Sequence, residues 1–132
     1  MTRTVGPVLR RPVVAAVLDV VLVVVFAAVG RASHAEASPV VGALTTAWPF
    51  LAGTLLGWLV VRVVRHSWPV DVGPGVTVWF STVLVGMLLR HLAGAGTAAS
   101  FVVVASVVLA VFLLGSRALA GFLARRRAES PA

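Results

Sequence analysis

The 132-residue chain contains no cysteine, which excludes disulfides, thiolate zinc sites and a cysteine nucleophile whichever compartment its loops face. Lysine is also missing. All eleven basic residues are arginine, a side chain that stays charged near lipid under almost any condition. The apparatus of catalysis is absent too: there is no nucleophile beside a base, no Walker loop, no carboxylate pair and no HExxH. These absences predict a protein that is not an enzyme and needs no cofactor. No polar stretch is long enough to form a soluble domain, and no segment alternates as a membrane β-strand would.

What the chain has in abundance is apolar surface. With 60% hydrophobic residues and 11% charged, it cannot hide that surface inside one small soluble core, so a bilayer must serve as part of the solvent. A hydrocarbon core about 30 Å thick needs roughly 20 apolar residues per helix. Four segments qualify, at about 12–30, 44–64, 76–92 and 99–123, separated by "RASHAEASPVVGA", "RHSWPVDVGPG" and "HLAGAG". The expected fold is all-α: one membrane domain over 1–132, built of four transmembrane helices in two antiparallel hairpins.

Arginine sets the expected orientation. Nine of the eleven (Arg3, Arg10, Arg11, Arg62, Arg65, Arg117, Arg125, Arg126 and Arg127) fall on the side of the two termini, and only Arg31 and Arg90 fall opposite. Positive charge near span ends is retained inside the cell, so both termini are expected in the cytoplasm. Trp48 and Trp68 lie near predicted interfaces and Trp79 a turn inside one, as in an aromatic belt. The net charge of +7 would suit nucleic acid if it sat on a polar domain, but here it borders apolar runs. The expected partners are lipid and, through helix packing, a second copy or another membrane protein. The terminal "ARRRAES" reads as a headgroup anchor. An arginine-bearing start followed by "SHAE" also resembles a signal peptide cleaved after Ala35, but the apolar run is longer than such signals carry and Asp19 interrupts it.

Asp19 is the residue to explain. An aspartate at mid-span opposes insertion by about 2.5–3.5 kcal/mol, whereas nine valines, two leucines and one phenylalanine in the same span favour it by about 5 kcal/mol. The helix inserts, and its carboxylate must then face the bundle and find a cation. Asp19 lies seven residues beyond Pro12, about 10 Å inward, and Arg117 lies eight residues before Arg125, at nearly the same depth. Arg62 is shallower but long enough to bend inward. Arg117 is favoured, because the face Ser106, Ala110, Leu113, Arg117, Gly121 is mostly small and permits close approach. Arg62 shares a face with Trp58 and is expected to stack there or reach headgroups. An Asp–Arg pair would fix helix register. A carboxylate in a cation or proton path is the competing reading, and it would make the protein a small coupled transporter.

Three further patterns stand out. Gly53 and Gly57 form a GxxxG element, and Thr82, Gly86 and Arg90 align likewise on the third span, both suited to close helix packing. Pro49, in "WPF", reads as the first turn of the second helix with Trp48 as its anchor. Arg31, His34, Glu36, Arg90 and His91 gather at the end opposite the termini as solvated polar groups or as a contact for an anion or lipid headgroup; two histidines and a glutamate on separate loops lack a recognised metal spacing. The hairpins echo one another weakly, with Arg31 matched by Arg90 and Arg62 by Arg117.

"LDVVLVVVFAAVGRASH", "WPFLAGTLLGW", the stretch 62–69, "GMLLRHLAGAGTAASFVVVA" and "LLGSR" resemble the bacterial four-helix membrane family known as domain of unknown function 3054. The resemblance runs from about residue 12 to 117. It places Asp19, Arg31, His34, Trp48, Pro49, Gly57, Trp58, Arg90 and Arg117 at motif positions, with a departure at Ser116, where an aromatic would be expected. It implies a multi-pass protein of the bacterial plasma membrane and carries no mechanism.

Overall fold

The computed structural model describes residues 7–31 and 39–129. Within them four helices follow one another: α1 (Pro12–Arg31), α2 (Pro39–Arg65), α3 (Val72–Leu92) and α4 (Ala99–Glu129), with no strand among the described residues. Each is long and apolar enough to cross a membrane. They pack in a ring in which α1 meets α2, α2 meets α3, α3 meets α4 and α4 closes on α1, while the backbones of the diagonal pairs stay apart. Short connections alternate the helix directions, so α1 and α4 bring the termini to one end of the bundle.

The outward surface is a run of aliphatic side chains such as Val13, Val29, Leu55, Leu59, Leu92 and Val111, each more than half exposed. In water such a surface would aggregate; in a bilayer it meets lipid. The chain is a multi-pass membrane protein. At 31 residues α4 is about 46 Å long, more than the hydrocarbon core needs. Its excess carries the exposed Arg125, Arg126 and Arg127, with the Arg126 guanidinium 5.7 Å from the Phe122 ring centroid.

Two helix starts differ from those read in the sequence, and α4 runs six residues past the expected 123. Helix α2 begins at Pro39, so Pro49 lies inside it rather than in its first turn. Pro39 now takes the start position that suits a residue without an N–H. Pro49 leaves the Thr45 carbonyl without its usual donor, a defect that membrane helices tolerate when neighbouring groups compensate. Helix α3 begins at Val72, four residues early, capped by Asp71 in extended conformation, whose carbonyl accepts the Gly75 N–H at 2.9 Å. Asp71 also accepts from Arg10 at 2.7 Å, an exposed pair across the end that carries the termini.

Helix α3 ends in a Schellman motif. The Gly94 N–H reaches the His91 carbonyl and the Ala95 N–H the Arg90 carbonyl, both at 3.0 Å, with Gly94 at φ +82°. A Cβ there has open space around it but the wrong backbone for an L-residue. Gly94→Ala is therefore expected to destabilise by about 1–2 kcal/mol through conformation alone, checked by equilibrium unfolding in mixed micelles.

The tightest seam joins α2 and α3. A Cβ on Gly53 would lie 2.6 Å from the Ser81 carbonyl oxygen and 2.9 Å from the Thr82 Cα, and one on Gly57 would lie 2.9 Å from the Val78 Cα. The GxxxG element thus lets two backbones of the same chain touch. The Ser81 hydroxyl donates to the Gly53 carbonyl at 2.7 Å, and the buried Thr54 and Thr82 hydroxyls meet at 2.8 Å. Those two threonines also lie 2.9 and 2.7 Å from the Phe50 and Val78 carbonyls of their own helices. Two protons serve three contacts, so the pair is a shared network rather than three independent bonds.

Core composition changes along the bundle axis. Toward the end opposite the termini, fully buried Phe50 packs edge-on against Phe26 at 5.3 Å and beside Phe101 at 6.3 Å, in a space left open by Gly86. Toward the end that carries the termini, the core encloses a polar centre among buried Ala15, Val61, Leu113 and Ala120.

Candidate functional site

That polar centre is built around Asp19, 1% exposed on α1, and Arg117, 4% exposed on α4. The guanidinium is bidentate: Nη1 donates to Oδ1 at 2.8 Å and Nη2 to Oδ2 at 2.7 Å. Parallel N–H···O bonds of this fork geometry are the strongest form an ion pair takes. Arg117 Nη1 also donates to the Leu113 carbonyl at 2.9 Å, and Nε donates to the Pro69 carbonyl at 2.9 Å. Trp58, on α2, donates its indole N–H to Asp19 Oδ2 at 2.8 Å. The carboxylate thus accepts three bonds, two of them from a cation.

Every helix and one loop contribute. Helix α1 supplies the anion, α2 the indole, α4 the cation and the α2–α3 connection a carbonyl from fully buried Pro69. Helix α3 supplies space. A Cβ on Gly75 would run into Arg117 Cδ and fall 2.8 Å from its Nε, so glycine leaves the room through which the arginine passes. Neither Gly75 nor Pro69 was singled out in the sequence; the "PGV" context of Gly75 looks like ordinary turn punctuation, and the neighbour it accommodates is on another helix.

Of the two arginines considered for Asp19, the structure brings Arg117 to it and Arg62 elsewhere. Arg62 is exposed and lies over the Trp68 ring at 4.8 Å, with Trp68 6.2 Å from Trp58. Trp58 is therefore not the platform for Arg62 but the second partner of the carboxylate. The face expected to carry Arg117 also differs. The buried positions of α4 are Ala105, Leu109, Leu113, Arg117 and Ala120, while Gly121 has nothing near its Cβ position. At Arg117 itself the room comes from Gly75 on α3 rather than from Gly121. Trp79 ties α3 to α4 by donating to the Ser106 carbonyl at 2.9 Å.

The polar cluster at the other end is described only in part. His34, Glu36 and the Arg31 side chain lie outside the described residues. Arg90 donates through Nε to the Gly96 carbonyl at 2.6 Å and covers the Phe101 ring at 4.5 Å, while His91 is exposed. Arg90 thus closes the C-terminal end of α3, where positive charge complements the helix dipole. Among the described residues no group of three metal-ligating side chains converges.

Removing the indole donor isolates its share. Trp58→Phe keeps an aromatic ring, though a smaller one, and leaves Oδ2 with only the arginine; it is expected to destabilise by at least about 1.5–3 kcal/mol, the range for a hydrogen bond to a charged group. Denaturant unfolding monitored by helix content would measure it.

Four membrane-capable helices around a bidentate, tryptophan-assisted ion pair define an integral membrane protein of the four-span class. The family described as "Protein of unknown function (DUF3054)" matches residues 16–120, from just before Asp19 to just past Arg117, and the chain belongs to it. No curated protein and no solved structure matches the chain.

Proposed function

We propose that the protein is a structural or accessory subunit of the bacterial plasma membrane, with both termini in the cytoplasm, and that it is not an enzyme. The observation that carries this reading is that Asp19 is already paired. Its carboxylate is held by a fixed guanidinium and an indole N–H, so the place a travelling cation would occupy is already filled by Arg117. The pair acts as a clasp that sets the register of all four helices, which suits a protein whose task is to present a fixed shape in the bilayer. Its partners in this reading are lipid and either a second copy or another membrane protein, without nucleic acid. The nine-to-two arginine asymmetry supports the cytoplasmic placement of the termini.

The absence of native cysteine makes the topology simple to test. Ser67→Cys in the α2–α3 connection and Ala93→Cys at the end of α3 are exposed at opposite ends of the bundle. In intact cells an impermeant maleimide is expected to label Ala93→Cys and leave Ser67→Cys unlabelled until the membrane is opened; the reverse pattern would invert the orientation. In proteoliposomes, a proton-driven substrate flux abolished by Asp19→Asn would replace the structural role by coupled transport.

A further inference from the structure

On the outer face between α1 and α2 lies an open groove of about 510 Å³, bordered by Ala16, Val20, Leu55 and Leu59, floored by Trp58 and ending at Arg62 and Trp68. Its volume is that of a small-molecule site rather than a packing defect. Almost all of its wall is apolar. It runs along α2 from Leu51 to Arg62, eleven residues or about 16 Å, close to the roughly 15 Å depth of one leaflet's hydrocarbon. One end is different. There the Arg62 guanidinium rests on the Trp68 ring, while Asp19 is taken by Arg117 and Asp71 by Arg10. An arginine and a half-exposed tryptophan at the mouth of an acyl-sized trough are placed as headgroup-level residues are placed in membrane proteins.

We propose that this groove is a binding site for one anionic phospholipid of the leaflet on the side of the termini, an acyl chain lying along Val20, Leu55 and Leu59 and the phosphate meeting Arg62. The occupant is a lipid rather than a partner helix because the groove is one leaflet deep and closes on a cation, whereas a spanning helix would need an apolar seam through both leaflets. The arginine supplies the preference for negative charge, and the trough supplies the chain. Trp58 joins this site to the buried pair, since its ring floors the groove while its N–H holds Asp19 Oδ2. Occupancy of the groove therefore also steadies the clasp.

The test is a lipid titration of the full chain in neutral detergent, read by native mass spectrometry, with phosphatidylglycerol and phosphatidylcholine of identical chains as probes. Wild type is expected to bind one phosphatidylglycerol about fivefold more tightly than phosphatidylcholine, the worth of one arginine at the membrane surface. Arg62→Gln should abolish that preference while still binding both lipids; Arg62→Lys should keep it. Val20→Phe, which fills the trough from an exposed position, should weaken both lipids alike. Two results would overturn the proposal: equal binding of the two lipids by wild type, or a preference unchanged in Arg62→Gln. A stable dimer lost in Val20→Phe without any lipid effect would assign the groove to a second copy instead. Each variant's helix content and monodispersity would be checked first, and Arg62→Gln, exposed and outside the core, keeps the test available if Val20→Phe does not fold.

Discussion

Arg117→Gln should lower the unfolding free energy of the solubilised protein by about 3–5 kcal/mol, the range seen when one member of a buried ion pair is removed. The physical reason is the residue left behind. Asp19 is 1% exposed, and without the guanidinium its carboxylate would keep only the Trp58 N–H in an apolar setting. Asp19→Asn should be costly for the converse reason, since Arg117 would retain the Leu113 and Pro69 carbonyls but no counter-charge. The double variant should recover much of either loss, because two neutral amides can pair without stranding a charge. Arg62→Gln in the same background should add independently, as its guanidinium sits on Trp68 instead. A double-mutant cycle by equilibrium unfolding checks all four values. Additive losses, without recovery, would remove the clasp from the proposed function.

Gly53→Leu is expected to be the most damaging single change in the α2–α3 hairpin, exceeding about 3 kcal/mol or preventing folding altogether. The obstacle is backbone on both sides. The new Cβ would meet the Ser81 carbonyl oxygen and the Thr82 Cα within 3 Å, and neither can rotate away as a side chain could. Helix separation would also break the Ser81 bond to Gly53 and the Thr54–Thr82 contact. Gly57→Leu should be milder, because its new Cβ would meet Val78 Cα at 2.9 Å and Ser81 Cβ at 3.1 Å, fewer and longer clashes than at Gly53. Gly115→Ala and Gly121→Ala are the controls. Both positions are helical with nothing within 4 Å of the Cβ, so each should be neutral or gain up to about 1 kcal/mol from helix propensity. Thermal unfolding of the five proteins would rank them, and damage at Gly115 or Gly121 equal to that at Gly53 would mean that those glycines serve contacts between copies.

The two hairpins illustrate how far a one-dimensional pattern reaches. Arg62 and Arg117 both lie toward the helix ends on the side of the termini, Arg62 the shallower, yet one is exposed on an indole and the other is 4% exposed between helices. Depth along a span is countable from sequence, at 1.5 Å per residue, and it makes Arg117 a suitable partner for Asp19. The rotation of one helix against another is not countable. That rotation decided that Trp58 faces Asp19, that Gly121 faces outward, and that Gly75 lies across from Arg117. Pro49 shows the same limit locally: a proline is a valid helix start, but Pro39 was another, and the stretch between them is helical because it packs against its neighbours.

By itself the sequence determined that this is a four-span, all-α membrane protein, because the length of apolar runs is set by bilayer thickness and the charges between them cannot be left in lipid. It also determined that Asp19 needed a cation, since a carboxylate in hydrocarbon must be paired. The tertiary structure alone decided which atoms answer that need. The clasp takes its pieces from α1, α2, the α2–α3 connection, α3 and α4, separated by as many as 98 positions in the chain. Helix rotation and the space opposite a glycine are properties of packed pairs, and no single segment encodes them.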